Sequence, residues 1–121
     1  MRLEELSISQ VAVVLDSWER NFGFFYGQKP SAEYYLESIK EFMSQEGYYE
    51  DRFGTSISRG LSRGNNDAKL RLRFNQHEDL EIRFDVNQGS SSAVEFDPVL
   101  GKAEKEFKKD VEEVGFIYYT S

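Results

Sequence analysis

The side chains best suited to chemistry are the cations Lys69, Arg71, Arg73 and Arg83, which interrupt two apolar runs at every second position. Leu70, Leu72 and Phe74 alternate with Lys69, Arg71 and Arg73; Leu80, Ile82, Phe84 and Val86 alternate with Glu81, Arg83 and Asp85. Strict alternation broken only by Asn75-Gln76-His77-Glu78-Asp79 predicts an antiparallel hairpin with one buried and one wet face. Guanidinium groups gathered on a wet face can hold a phosphate or a carboxylate through paired hydrogen bonds. Arg71, Arg73 and Arg83 are therefore candidate anion-binding residues. Arg59 and Arg63 would widen the patch if the preceding segment pairs alongside.

Register sharpens this. Pairing Phe74 with Leu80 sets Arg73 opposite Glu81, Arg71 opposite Arg83 and Lys69 opposite Asp85. Slipping by two residues in either direction still leaves Arg83 facing a base, because only even slips keep the apolar face intact. Directly opposed like charges cost from a few tenths up to about 1 kcal/mol. Either Glu81 and Asp85, which flank Arg83 on its own strand, neutralise the pair, or an external anion does; the first explanation needs nothing from outside the chain.

Other candidate chemistry is thin. His77 is the only histidine, and it lies in the turn beside Glu78 and Asp79. Adjacent turn residues point apart, whereas a catalytic metal needs converging ligands. The chain has no Cys, which removes thiolate metal sites, disulfides and cysteine nucleophiles together. No Gly-X-Ser-X-Gly elbow occurs, and Gly60-Leu61-Ser62-Arg63-Gly64 lacks the Lys-Ser/Thr ending of a phosphate loop. Glu50-Asp51 and Glu112-Glu113 are sequence neighbours, so on regular elements they diverge and do not form a general acid and base. No cofactor or metal is expected; an enzyme would need groups from distant segments to converge in a cleft.

Charge divides the chain. Its net charge is −7. Residues 1–51 carry four Lys/Arg against ten Asp/Glu, residues 52–83 seven against four, and residues 84–121 four against eight. An acidic total opposes general affinity for nucleic acid, and acidic helices or loops would meet a basic protein. Glu37, Glu41, Glu46, Glu50 and Asp51 are the candidate partner-binding carboxylates. Phe24, Phe25 and Tyr26, between Gly23 and Gly27, are candidate aromatic anchors of the same interface, although in a chain with one Trp, seven Tyr and ten Phe packing on the core is the favoured reading for them, as for Tyr48-Tyr49 and Tyr118-Tyr119.

The elements that must carry these residues can be read from spacing. Ile8, Val11, Leu15, Trp18 and Phe22 recur every three or four residues, predicting a helix near 9–22 that Ser7 or Ser9 could cap. The β-branched Val13 and Val14 leave a strand over 6–15 as the alternative. Pro30-Ser31 begins a second helix whose apolar face is Ala32, Tyr35, Leu36, Ile39, Phe42 and Met43, with Gly47 at its stop. Residues 48–67 read as turns around Gly54, Gly60 and Gly64-Asn65-Asn66-Asp67, with an irregular added strand over 55–58. Gln88-Gly89-Ser90-Ser91-Ser92 reads as a connection and Ala93–Phe96 as a short strand. Asp97-Pro98 starts a helix with the stripe Leu100, Ala103, Phe107, Val111 and Val114, ended by Gly115. Lys102, Lys105, Lys108 and Lys109 with Glu104, Glu106 and Asp110 form its solvated face, and Phe116–Tyr119 a last strand.

The fold class that follows is α+β: an antiparallel sheet of about four or five strands with about three helices packed on one face, in one globular domain spanning 1–121. A secretory leader, a long apolar run and an Asn-X-Ser/Thr site are not seen, so a cytoplasmic setting and no membrane contact are expected. The functional expectation is a non-catalytic protein-binding module: a small acidic inhibitor, immunity-type protein or regulatory partner. The alternatives are a regulatory domain holding an anionic ligand or acidic peptide on Arg71, Arg73 and Arg83, or an enzyme.

Overall fold

The computed structural model describes residues 1–22, 28–54, 66–88 and 98–119, with the backbone alone at 51–54, 66–68, 86–88 and 98–100. A single 3-10 turn, Leu3–Glu5, leads into helix α1, Ile8–Phe22. Residues 6–15 are thus helical from Ile8 onward. Ser7 caps α1: its Oγ accepts from the Gln10 amide at 3.4 Å, while the Gln10 Oε1 accepts from the Ser7 amide at 2.8 Å. That reciprocal pair fixes the helix start and outweighs the β-branched bias of Val13 and Val14. Helix α2, Ala32–Glu46, begins where Ser31 Oγ accepts from the Tyr34 amide and ends at Gly47, which is left-handed at φ 78°.

Strand β1, Tyr48–Gly54, follows at once, and strands β2, Asn66–Phe74, and β3, Leu80–Gln88, form the hairpin. The region around 48–54 read as turns is therefore a strand, and Asn66, Asp67 and Gln88 extend the hairpin past both ends of the alternating run. Its register is Phe74 opposite Leu80, Arg73 opposite Glu81, Arg71 opposite Arg83 and Lys69 opposite Asp85. β1 runs antiparallel to β2, with Tyr48 opposite Arg73 and Glu50 opposite Arg71, until a bulge between Arg52 and Gly54.

Helix α3, Pro98–Glu113, returns the chain to strand β4, Ile117–Tyr118, which lies parallel to β3. The sheet is four-stranded, β1-β2-β3-β4, and mixed, where an antiparallel sheet was expected. One helix between two strands reverses the chain twice, so the second strand runs with the first. The strands expected over 55–58 and 93–96 lie outside the described residues.

The core sits between the sheet and the helices. Trp18 and Phe22 meet Phe84 of β3, and Phe107 of α3 packs behind them: Phe22 stacks on Phe84 with centroids 4.1 Å apart, and Trp18 packs edge-on to Phe107 at 5.9 Å. Leu70, Leu72, Leu80 and Ile82 complete the apolar side of the hairpin and are wholly buried. Burying an aliphatic or aromatic side chain of this size contributes about 1.5–3 kcal/mol. Polar ties hold the helices in place. Ser17 Oγ donates to Asp110 Oδ2 at 2.7 Å, Arg20 pairs with the same carboxylate, and Gln10 Nε2 donates to the Val114 carbonyl at 2.8 Å, satisfying the end of α3.

Candidate functional site: an acidic helix beside a neutralised basic sheet

On the outer face of the sheet, alternation brings Lys69, Arg71 and Arg73 of β2 beside Arg83 of β3, as their register demands. Each is held by a carboxylate. Asp85 Oδ2 accepts from Arg71 Nη1 and Arg83 Nη2, both at 3.2 Å. Glu81 accepts from Arg73 Nε at 3.0 Å. Glu50 reaches over from β1 to Lys69 Nζ at 2.9 Å and Arg71 Nε at 3.0 Å. Asp85 thus settles the opposed Arg71–Arg83 pair as one shared acceptor, while Glu81 goes to Arg73.

Tyr119 completes this face. Arg73 lies 3.8 Å and Arg83 4.9 Å from its ring centroid, so one aromatic ring receives two guanidinium groups. The Arg83 side chain is only 10% exposed, and its Nε is buried without a hydrogen-bond partner among the described residues. Burial pushes the Tyr119 phenol above its ordinary pKa, against the opposing pull of Arg83, Arg71 and Arg73. The sequence signal for this cover was the parity of Tyr119: Ile117 lies opposite Glu81, so the residue two further on shares the outer face.

Beneath the sheet, Tyr118 faces the helices. Its hydroxyl donates to Glu104 Oε1 at 2.7 Å and accepts from the Phe84 amide at 3.3 Å. Burial, then the hydrogen bond to Glu104, raises its pKa far above the ordinary value of 10.0. Since β4 is two residues long, this side chain supplies the acceptor that a longer strand would have offered Phe84.

Helix α2 and the start of β1 differ. Glu33, Glu37, Glu41 and Glu46 are exposed, and no ion pair forms at Glu37, Glu41 or Glu46 among the described residues. Glu33, Glu37 and Glu41 succeed one another at four-residue spacing, where like charges destabilise a helix by about 0.2–0.5 kcal/mol per pair. Glu46 is the last residue of α2, whose final turn carries no base, and a carboxylate there opposes the helix dipole. Apolar surface lies among these charges: Tyr34 is 66%, Phe42 46% and Tyr48 53% exposed.

Phe42 was expected on the buried face of α2. It lies at the rim, packing edge-on against Tyr49 at 5.9 Å, while Tyr49 is buried and meets Tyr35 at 5.5 Å. Tyr48, on the opposite parity, turns outward beside Arg73. Where α2 hands over to β1, Phe42, Glu46, Tyr48, Tyr49, Glu50 and Arg71 line a cleft of about 470 Å³.

Of the candidate partner-binding residues, Glu37, Glu41 and Glu46 thus share one exposed surface, and Glu50 is committed to Lys69 and Arg71. Asp51 holds the register position opposite Leu70. Phe24, Phe25 and Tyr26 lie outside the described residues. His77 is an exposed turn residue whose amide, like that of Asp79, donates to Asn75 Oδ1. Among the described residues no group of three or more His, Cys, Asp or Glu could hold a metal ion, and no helix is long and apolar enough to cross a membrane. No protein-family model, curated protein or solved structure matches this chain.

Proposed function

We propose that this chain is a non-catalytic protein-binding module, of the inhibitor, immunity-type or regulatory kind, that meets a basic partner surface through α2 and the start of β1. The observation that supports this reading is the set of exposed carboxylates Glu37, Glu41 and Glu46, which enter no ion pair among the described residues and lie among the exposed rings of Tyr34, Phe42 and Tyr48. Carboxylates spaced to repel one another on a helix lower its stability; a basic partner recovers that loss on binding and is steered toward it. Aromatic rings among them supply the apolar contact from which interface hot spots are made.

The competing reading, an anion held by Arg71, Arg73 and Arg83, is disfavoured because each of these arginines is already paired with Glu50, Glu81 or Asp85. An external anion would have to displace carboxylates that the chain holds at high effective concentration.

Affinity capture from native lysate, repeated with Glu37→Gln/Glu41→Gln/Glu46→Gln, tests the proposal. A partner held by the wild type at low salt should be released at high salt and not be recovered by the triple variant, whose folding is checked by circular dichroism. Equal recovery by both proteins at both salts would contradict it.

A further inference from the structure

Building on that reading, we infer that the cleft between α2 and β1 takes one arginine side chain of the partner as its anchor. Among the described residues, the charges that line the cleft are Glu46, Glu50 and Arg71. Arg71 Nε is 3.0 Å from Glu50 Oε2 and its Nη1 3.2 Å from Asp85 Oδ2, while Lys69 Nζ is 2.9 Å from Glu50 Oε1, so these two cations and two carboxylates offset one another at the sheet side of the cleft. Glu46 is exposed and enters no ion pair among the described residues. The described lining thus carries one negative charge in excess, on Glu46, which calls for one cation.

The walls select the shape of that cation. Phe42 and Tyr48 are 46% and 53% exposed and line the same cleft as Glu46. An exposed ring beside a carboxylate suits a long side chain with an aliphatic stem and a positive head: the stem covers ring surface and the head reaches the acid. A planar guanidinium gains further by stacking on an aromatic face and by offering paired N–H groups to a carboxylate, which an ammonium cannot do. Arg73 and Arg83 on Tyr119 are this chain's own instance of the stacking. The cleft volume, about 470 Å³, lies in the range that encloses small ligands and exceeds what one side chain needs, leaving room for the partner backbone that carries it.

The test is a titration of the isotope-labelled full chain, followed by backbone amide shifts, with capped pentapeptides Gly-Gly-X-Gly-Gly in which X is Arg, Lys or norleucine. The Arg peptide should saturate a set of shifts centred on Phe42, Glu46 and Tyr48. The Lys peptide should bind more weakly at the same place, and norleucine, which has the stem without the charge, should leave the set unmoved. Glu46→Gln should weaken the Arg peptide by up to about fivefold, as for a partly exposed ion pair, and Phe42→Ala or Tyr48→Ala by about two- to fivefold. Glu112→Gln, exposed on α3 and outside the cleft lining, should leave binding unchanged.

Norleucine binding as well as Arg, Arg shifts spread along α2 without saturating at the cleft, or no shift with any peptide would each overturn the anchor. The broader reading fails separately. If the triple variant loses a captured partner while Phe42→Ala and Tyr48→Ala keep it, the acidic surface stands and the arginine site falls.

Discussion

The outer sheet face and helix α2 are both crowded with charge, and they handle it in opposite ways. On the sheet, Arg71 and Arg83 are forced together by the register, and Asp85 accepts from both. On α2, Glu33, Glu37 and Glu41 are set together by the helical repeat and stay exposed. The first region spends its charge on the fold, whereas the second leaves its charge available to something else. Local charge density is therefore a poor guide to a binding surface; charge without an internal counterion is the better one.

The difference can be broken most forcefully at Asp85. Replacing it by Ala leaves Arg83, nine-tenths buried, without its acceptor and Arg71 directly opposite. Loss of one partner of a fully buried pair costs about 3–5 kcal/mol; with Asp85 itself partly exposed, about 2 kcal/mol is expected, read from denaturant unfolding. Arg83→Met removes the buried unpartnered Nε and the like-charged neighbour together, and should cost less than about 1 kcal/mol. If Arg83→Met proves the more damaging, the shared-acceptor account of this face is wrong.

Next comes Tyr118, the paired polar group on the helix side of the same strands. Tyr118→Phe deletes the donor to Glu104 and leaves the Phe84 amide without its acceptor, for an expected loss of about 1–3 kcal/mol. The phenol also has a signature in pH. Its native pKa is raised, so the stability it contributes is fully present below the unfolded value near 10.0 and declines as pH rises beyond it, where the unfolded chain ionises first. Tyr118→Phe should flatten that alkaline limb, and an unchanged slope would remove Tyr118 as its source.

Glu50→Gln should cost about 1 kcal/mol, because that carboxylate serves both Lys69 and Arg71 at partly exposed positions. The sign then reverses on α2. Glu37→Gln/Glu41→Gln/Glu46→Gln should raise stability by about 0.5 kcal/mol, by relieving the four-residue repulsions and the unfavourable helix end. A loss of stability would mean that those carboxylates have structural work.

The sequence made the hairpin legible because its period of two is strict from Lys69 to Phe74 and from Leu80 to Val86, and the Arg71–Arg83 opposition followed from counting. The helices were legible through Ser31, Gly47, Pro98 and their apolar stripes. β1 was not, since Glu50-Asp51-Arg52 interrupts the alternation that Tyr48 and Tyr49 begin, and the charge that makes the segment resemble a turn is what Lys69 and Arg71 use across the strands. The parallel β4 was missed because direction depends on what the chain does between strands, which residues 117–118 do not encode. At the site, the acidic surface was legible as composition. That Glu50 pairs with the sheet cations Lys69 and Arg71 while Glu46 enters no ion pair among the described residues was not, because the two are four residues apart and only the turn at Gly47 separates their neighbours.

The central contrast is tested most directly by capturing the partner side by side with Glu37→Gln/Glu41→Gln/Glu46→Gln and with Arg71→Gln/Arg73→Gln, both confirmed folded. The account predicts that the first variant loses the partner and the second keeps it. Retention by the first and loss by the second would show that the basic sheet face, for all its internal pairing, is the surface that binds.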